Sequence, residues 1–143
     1  MRYNKVRKMD ISNGPGVRVS IFMQGCTFKC KNCFNPETHD FKCGKEFSED
    51  TINRVLELCN NENVEGLSIL GGEPMHPINI EGTTRLAKAF KEKYPNKRIV
   101  KVAGCEVRYN SQLFLDAITR IQAAQGIETL VPVGKRTIPI WLA

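Results

Sequence analysis

The sequence contains no uninterrupted apolar run that approaches the roughly 20 residues needed to cross a bilayer. Its first ten residues, MRYNKVRKMD, carry positive charges but lack the hydrophobic segment that follows them in a secretory signal. Internal repeats, low-complexity tracts and long linkers are also missing. We therefore expect one compact α/β domain over residues 1–143, located in the cytoplasm and without a membrane partner.

Aromatic residues are few, 8% of the chain, and they do not alternate with basic residues. Lys and Arg number 21 against 15 Asp and Glu, a formal net charge of +6, but these charges are scattered. A nucleic-acid-binding surface would gather them on one face or along one stripe. The pattern indicates a basic surface that attracts an acidic protein or electron donor, with no nucleic-acid partner.

Cysteine, in contrast, is frequent, and Cys26, Cys30 and Cys33 form a C-x3-C-x2-C cluster. A reducing compartment and the odd number disfavour disulfides, whereas thiolates suit iron–sulfur clusters or zinc. A closed zinc site and a fully ligated cubane both take four protein ligands, and this loop supplies three. His39 or Cys43 could complete a zinc site, so the triplet alone leaves both centres open.

Hydrophobic patterning predicts strands that alternate with helices. The predicted strands are residues 17–23, 66–70, 98–102 and 128–133, and a loop occupies residues 27–45. Three helices are predicted: one that begins after an N-cap at Ser48, one over residues 83–94 and one over residues 111–125. Cys59 falls on the core face of the first helix. This order implies a parallel sheet with right-handed crossovers, in which ligands bind at the carboxyl ends of the strands. The cysteine cluster lies just past such an end.

A second motif, Gly71-Gly72-Glu73-Pro74, follows the second predicted strand. Its glycines would let the backbone approach a ligand closely, and Glu73 could accept hydrogen bonds from an ammonium group. Taken alone, the tetrapeptide indicates only a tight strand-to-helix turn. Its position some forty residues after the cysteine cluster makes the pair much more specific than either motif.

Together the two motifs resemble the radical S-adenosylmethionine superfamily, and the stretch NGPGVR is similar to its glycyl-radical-enzyme activases. The stretches MDISNGPGVRVSIFMQGC, CFNPETHDF and GLSILGGEPMHPIN resemble the family of anaerobic ribonucleoside-triphosphate reductase-activating proteins. The likeness covers about residues 1–99. It implies a small partial (β/α) barrel of parallel strands, radical S-adenosylmethionine type, abbreviated and divergent over residues 100–143.

The resemblance also implies a set of cofactor contacts. The [4Fe–4S] cluster would be held by Cys26, Cys30 and Cys33, with one iron open to S-adenosylmethionine; the methionyl amino end would be held by Gly71, Gly72 and Glu73; and the nucleoside would lie near Asn32 and Phe34. The superfamily often has an aromatic residue at the position of Asn32. Gly14, Gly16 and Arg18 are interpreted as shaping the entry to the first strand or carrying a surface charge.

The implied activity is the generation of a glycyl radical on the large subunit of the anaerobic ribonucleoside-triphosphate reductase through reductive cleavage of S-adenosylmethionine. A flavodoxin or ferredoxin would supply the low-potential electron. Two alternatives stay open on the sequence: another small radical S-adenosylmethionine enzyme acting on a small molecule, and a non-catalytic zinc-binding module.

Overall fold

The computed structural model describes residues 1–102, 116, 119–121, 123–124 and 128–130. It is a mixed α/β structure, as predicted, and it divides into two compact units, Met1–Arg98 and Ile99–Ala143. The expectation of a single domain stays a prediction. No helix within the described residues is both long enough and apolar enough to span a membrane.

The first unit contains four strands: β1 (Arg2–Asp10), β2 (Arg18–Met23), β3 (Lys45–Glu46) and β4 (Gly66–Gly71). They are ordered β3-β1-β2-β4. Strands β2 and β4 are parallel and in continuous register, from Arg18 opposite Gly66 to Met23 opposite Gly71. Both therefore end at the same edge of the sheet, which is the arrangement predicted for the two motifs.

The antiparallel part of the sheet, β1 paired with β2 and with β3, was not predicted, so the expectation of parallel strands alone is wrong here. The segment RYNKVRKMD is mostly charged, and only Tyr3 and Asp10 of β1 are buried. Lys5 and Arg7 instead lie over the Phe22 ring, at 4.9 and 5.2 Å from its centroid. Because the aliphatic stems of long charged side chains can cover apolar surface, such a strand lacks the apolar residues by which hydrophobic patterning detects strands.

Two helices, α1 (Glu49–Leu58) and α2 (Ile80–Lys93), complete the first unit. Ser48 is the N-cap of α1, as predicted, and its backbone N–H donates to Thr51 Oγ1 at 3.3 Å. The apolar residues of β2, β4 and both helices form the core: Val19, Ile21, Met23, Ile52, Val55, Leu56, Leu67, Leu86 and Phe90. This core fixes the sheet edge where the motifs lie.

Cys59, the C-cap of α1, is fully buried, which confirms its predicted place in the core. Burial raises the pKa of its thiol from 9.0 to about 12, so the neutral form persists at ordinary pH. We expect iodoacetamide at pH 8 to label the exposed Cys43 and to leave Cys59 unmodified in the folded protein, as read by peptide mass spectrometry.

The pH dependence of the Cys59 thiol has a definite sign. Between pH 9 and about 12 the unfolded chain loses this proton while the folded chain keeps it, so its contribution to stability falls as pH rises through that window. Labelling of Cys59 at the rate of Cys43 in the folded protein would contradict its placement.

Arg18 is buried, with 1% of its surface exposed, so its interpretation as a surface charge is wrong. Its guanidinium donates hydrogen bonds to Ser68 Oγ (2.7 Å) and to the backbone oxygens of Pro15 (3.1 Å), Leu67 (2.8 Å) and Arg98 (3.0 Å). Burial lowers its pKa. The residue joins the entry of β2 to β4 and to the start of the following strand.

Strand β5 (Arg98–Val102) begins at the last residue of the first unit and pairs in parallel with β6 (Glu128–Leu130), with Val100 opposite Glu128. The predicted strand at residues 98–102 is confirmed. The last predicted strand is confirmed over residues 128–130. Residues 116, 119–121 and 123–124 are helical, in agreement with the helix predicted over 111–125. The remaining residues of these two predictions lie outside the described ones.

Candidate functional site

Backbone hydrogen bonds join the two sequence motifs directly. The Gly72 N–H donates to Met23 O and the Glu73 N–H donates to Gly25 O, each at 2.9 Å. Gly25 immediately precedes Cys26, so the Gly71–Pro74 turn is fastened to the first residues of the cysteine loop. The prediction that both motifs lie at one edge of the sheet is confirmed.

The cysteine loop leaves β2 and is anchored at its base. The Gly25 N–H donates to Thr38 O (2.7 Å) and the Cys26 N–H to His39 O (3.2 Å). Cys26 is buried, whereas Cys30 and Cys33 are half-buried, and none of the three forms a disulfide. The loop therefore combines a rigid start with two cysteines on its more accessible part.

Two residues of the loop, Lys29 and Asn32, have left-handed backbones, with φ of 45° and 60°. Each directly precedes a cysteine. Such a conformation costs an L-residue roughly 1–2 kcal/mol, and Asn adopts it more readily than most. Backbone strain of this kind concentrates at ligand-binding sites. It also gives a physical reason for Asn, rather than an aromatic residue, before Cys33.

The donor set of the loop fits an iron–sulfur cluster. Three thiols come from one short loop, and thiolate sulfur is the ligand that such clusters take. Among the described residues, no three His, Cys, Asp or Glu side chains converge closely enough to hold a single metal ion. Cys43, considered as a fourth zinc ligand, is exposed and donates its thiol hydrogen to Asp40 Oδ2 (3.3 Å). The second candidate, His39, is half-buried, and its Nε2 has no hydrogen-bond partner within the described part of the chain.

The glycines of the turn are required by the neighbouring backbone. Gly71 has a φ of 107°, and a Cβ there would lie 2.6 Å from Met23 N. A Cβ on Gly72 would lie 2.5 Å from Gly25 O. The close approach expected toward a ligand is thus, in the structure, an approach to β2 and to the base of the cysteine loop.

Replacing Gly71 by alanine tests this packing. We expect Gly71→Ala to lower the free energy of unfolding by about 1–3 kcal/mol, because the new Cβ adds backbone strain and meets the backbone of β2. Urea denaturation followed by circular dichroism measures it. Gly82→Ala is the matched control. Gly82 lies inside helix α2, where alanine is favoured, and its new Cβ would first meet the flexible end of the Met1 side chain, so we expect this variant to be neutral or stabilising. Equal stability of the two variants would contradict the packing argument.

Glu73 is half-buried, and its carboxylate Oε1 accepts a hydrogen bond from the Met75 N–H at 2.8 Å. This bond orients the side chain within its own turn. The two residues predicted near the nucleoside, Asn32 and Phe34, are exposed, with 65% of the Phe34 surface accessible. They stand on the same loop as the cysteines, on either side of Cys33.

Two buried carboxamides that the sequence analysis missed organise the base of the site. Gln24 donates from Nε2 to Glu37 O (2.9 Å) and Asp40 O (2.7 Å). Asn79 donates from Nδ2 to Gln24 O and Glu73 O, both at 3.0 Å. Both residues lie inside quoted stretches, MQGC and MHPIN, but nothing in those letters predicts that an amide is buried.

The sequence also matches a known family model, over residues 12–129, described as a 4Fe–4S single cluster domain. The chain belongs to the 4Fe–4S single cluster domain family. This membership decides between the two centres that the cysteine triplet left open, in favour of the iron–sulfur cluster. In this 4Fe–4S single cluster domain the matched residues include both the cysteine loop and the Gly71–Pro74 turn.

The chain is similar to several curated proteins that are named anaerobic ribonucleoside-triphosphate reductase-activating protein. The chain is 32% identical to that of Vibrio cholerae serotype O1 over 101 residues, 33% identical to that of Enterobacteria phage T4 over 99, and 31% identical to that of Escherichia coli K12 over 101. Each match covers 69% of this chain and, in the same order, 65%, 64% and 66% of the relative. The predicted likeness to these proteins is confirmed, and the chain spans somewhat less than two thirds of their length.

Proposed function

We propose that this protein is a radical S-adenosylmethionine activase that generates a glycyl radical on an anaerobic ribonucleoside-triphosphate reductase. The observation that supports it best is the hydrogen bond from Glu73 N to Gly25 O, which fastens the Gly-Gly-Glu turn to the start of the cysteine loop. A cluster site and a site for an amino acid's ammonium group then lie side by side. The names of the relatives supply the partner, an anaerobic ribonucleoside-triphosphate reductase, and its activation.

The proposal assigns Cys26, Cys30 and Cys33 as the cluster ligands. None of the three forms a disulfide, and the left-handed backbones at Lys29 and Asn32 bend the loop between them. Three protein ligands leave one iron with an open coordination position, as in catalytic metal sites. The amino and carboxylate groups of S-adenosylmethionine are suited to chelate it.

Glu73 and the glycines before it are assigned to the methionyl end of S-adenosylmethionine. Glu73 Oε1 is held by Met75 N–H, so the carboxylate is already oriented, and its second oxygen remains to accept from an ammonium group. Asn32 and Phe34 are assigned to the nucleoside. The partial barrel of the superfamily belongs to this proposal as well, since the described strands include its parallel pair β2–β4.

When bound, the cluster and S-adenosylmethionine supply a one-electron cleavage that yields methionine and a 5′-deoxyadenosyl radical. The residues of the chain orient and shield these groups. Buried Cys26 and the anchored loop base would shield one side of the cluster from water, while the Glu73 turn would hold the amino group of S-adenosylmethionine.

A protein substrate agrees with the exposed apolar residues of the two loops. Phe28, Phe34 and Ile78 expose 58%, 65% and 56% of their surfaces. Contiguous apolar patches of this kind mark docking surfaces, and the proposal assigns these three residues to one. Lys29 and Lys31 on the same loop would attract an acidic electron donor such as a flavodoxin or ferredoxin. Cysteines without disulfides and an iron–sulfur cluster both suit a reducing compartment, so the proposal places the protein in the cytoplasm.

The proposal is tested by anaerobic reconstitution with iron and sulfide, reduction with dithionite and addition of S-adenosylmethionine. We expect methionine and 5′-deoxyadenosine in equal amounts and, with the partner reductase present, a glycyl radical detected by electron paramagnetic resonance. Formation of 5′-deoxyadenosine without that radical would favour a small-molecule substrate. A colourless protein that binds zinc and takes up no iron or sulfide would refute the proposal.

A further inference from the structure

Asn79 occupies an unusual position at the start of helix α2. It is the N-cap residue, where Asn ordinarily accepts a hydrogen bond from the first turn of its own helix, but its side chain makes no such bond. Its Nδ2 instead donates backwards to Gln24 O and Glu73 O, each at 3.0 Å. The side chain is fully buried. Its amide therefore serves the two loops and not the helix.

The two carbonyls that Asn79 bridges belong to the two motifs. Gln24 lies one residue past the last pair of the β2–β4 ladder, Met23 opposite Gly71, and two residues before Cys26. Glu73 is the acidic residue of the turn. Past the end of the β2–β4 ladder, this side chain thus reinforces the backbone hydrogen bonds from Gly72 to Met23 and from Glu73 to Gly25 that join the turn to the cysteine loop.

The second polar atom of Asn79 strengthens this interpretation. Its Oδ1 is buried and has no hydrogen-bond partner within the described part of the chain. An unsatisfied buried oxygen is unfavourable, so a residue kept only to fill this space would be better replaced by an apolar one. The role of Asn79 therefore lies in its Nδ2 group, which donates to Gln24 O and Glu73 O.

We propose that Asn79 is a positioning residue that clamps the Gly71–Pro74 turn to the base of the cysteine loop and thereby sets where Glu73 meets S-adenosylmethionine. This rests on the proposed function for its ligand, but the clamp itself is a property of the protein without cofactors. The consequence is a separation of roles: loss of the amide donors loosens the turn and weakens S-adenosylmethionine binding without removing the cluster.

Asn79→Asp distinguishes a clamp from a cap. Asp has nearly the same shape and is an equally good N-cap, but its carboxylate cannot donate to two carbonyls. Hydrogen exchange of the Gly72 and Glu73 amides is measured on the cluster-free protein. Iron content and the S-adenosylmethionine concentration that half-saturates the change in the electron paramagnetic resonance signal are measured after reconstitution.

We expect exchange at Gly72 and Glu73 to accelerate about tenfold, half-saturation to need about tenfold more S-adenosylmethionine, and iron content and exchange within helix α2 to stay unchanged. Asn79→Ala gives the same result if the Asp variant folds poorly, and Asn79→Ser, which retains one donor, gives an intermediate one. Tyr94→Phe is the matched control, because it removes a 2.7 Å hydrogen bond to Leu56 O at the other end of α2. It should leave both motif amides protected.

Exchange and half-saturation in Asn79→Asp equal to those of the unmodified protein would overturn the clamp. Unchanged exchange at Gly72 and Glu73 in Asn79→Ala would overturn it as well. Failure of the unmodified protein to take up a cluster or respond to S-adenosylmethionine would count against the proposed function, whereas the exchange comparison would still decide on the clamp.

Discussion

Replacing any one of Cys26, Cys30 or Cys33 by alanine is expected to abolish cluster-dependent cleavage of S-adenosylmethionine. A loop with only two thiolates leaves two irons without protein ligands, so we expect iron after anaerobic reconstitution to fall from about four per chain to near background. Colorimetric iron and sulfide assays and the visible absorption spectrum measure the loss. Chromatographic detection of 5′-deoxyadenosine measures the activity.

Cys43→Ala is the matched control for these variants, since Cys43 is exposed and its thiol is hydrogen-bonded to Asp40. We expect its iron content and activity to equal those of the unmodified protein. Cys59→Ala, in the core, should lower the free energy of unfolding and leave iron content and activity unchanged. Retention of iron and cleavage in any single triplet variant, or their loss in Cys43→Ala, would show that the ligands have been assigned incorrectly.

The second large effect is expected at Arg18. Arg18→Met keeps most of the apolar stem but removes the guanidinium, which leaves Ser68 Oγ and the carbonyls of Pro15 and Leu67 without that donor. A buried acceptor left without its donor typically costs about 1–3 kcal/mol, and the loss of several such bonds is a large share of the stability of a small domain. Urea denaturation of the cluster-free protein should show a lower midpoint.

Arg54→Met on the exposed face of α1 provides the comparison, and we expect it to change stability by no more than about 0.5 kcal/mol. If Arg18→Met proved as stable as Arg54→Met, the guanidinium would contribute nothing beyond its apolar stem. Because Arg18 lies at the amino end of β2, far along the strand from the cysteine loop, the effect should appear in stability before it appears in cluster content.

The helices and parallel strands of residues 17–102 were predictable because their apolar residues recur at the spacing of each element. For example, Ser48 indicates the N-cap of α1, and Val55 and Leu86 lie on the buried faces of α1 and α2. Strand β1 was not predictable in this way, because Lys5 and Arg7 bury their stems against Phe22 while their sequence letters indicate a solvated segment. Its antiparallel pairing follows from contacts distant in sequence.

The candidate site shows the same division. The cysteines and the Gly-Gly-Glu turn were found by spacing, and family membership supports the cluster. Gln24, Asn79 and Arg18 were missed or misassigned because polar residues are usually exposed, and only the folded chain shows which carbonyls they serve. The glycines are also required by close backbone packing against β2 and the loop base, which the sequence did not indicate, and their contact with S-adenosylmethionine stays a prediction.

Electron paramagnetic resonance of the reconstituted, dithionite-reduced protein, recorded with and without S-adenosylmethionine, tests the central proposal most directly. An iron with an open coordination position beside the Glu73 turn predicts the signal of a reduced [4Fe–4S] cluster whose shape changes when S-adenosylmethionine is added. A cluster signal that stays the same at saturating S-adenosylmethionine, or no cluster signal at all, would contradict the account.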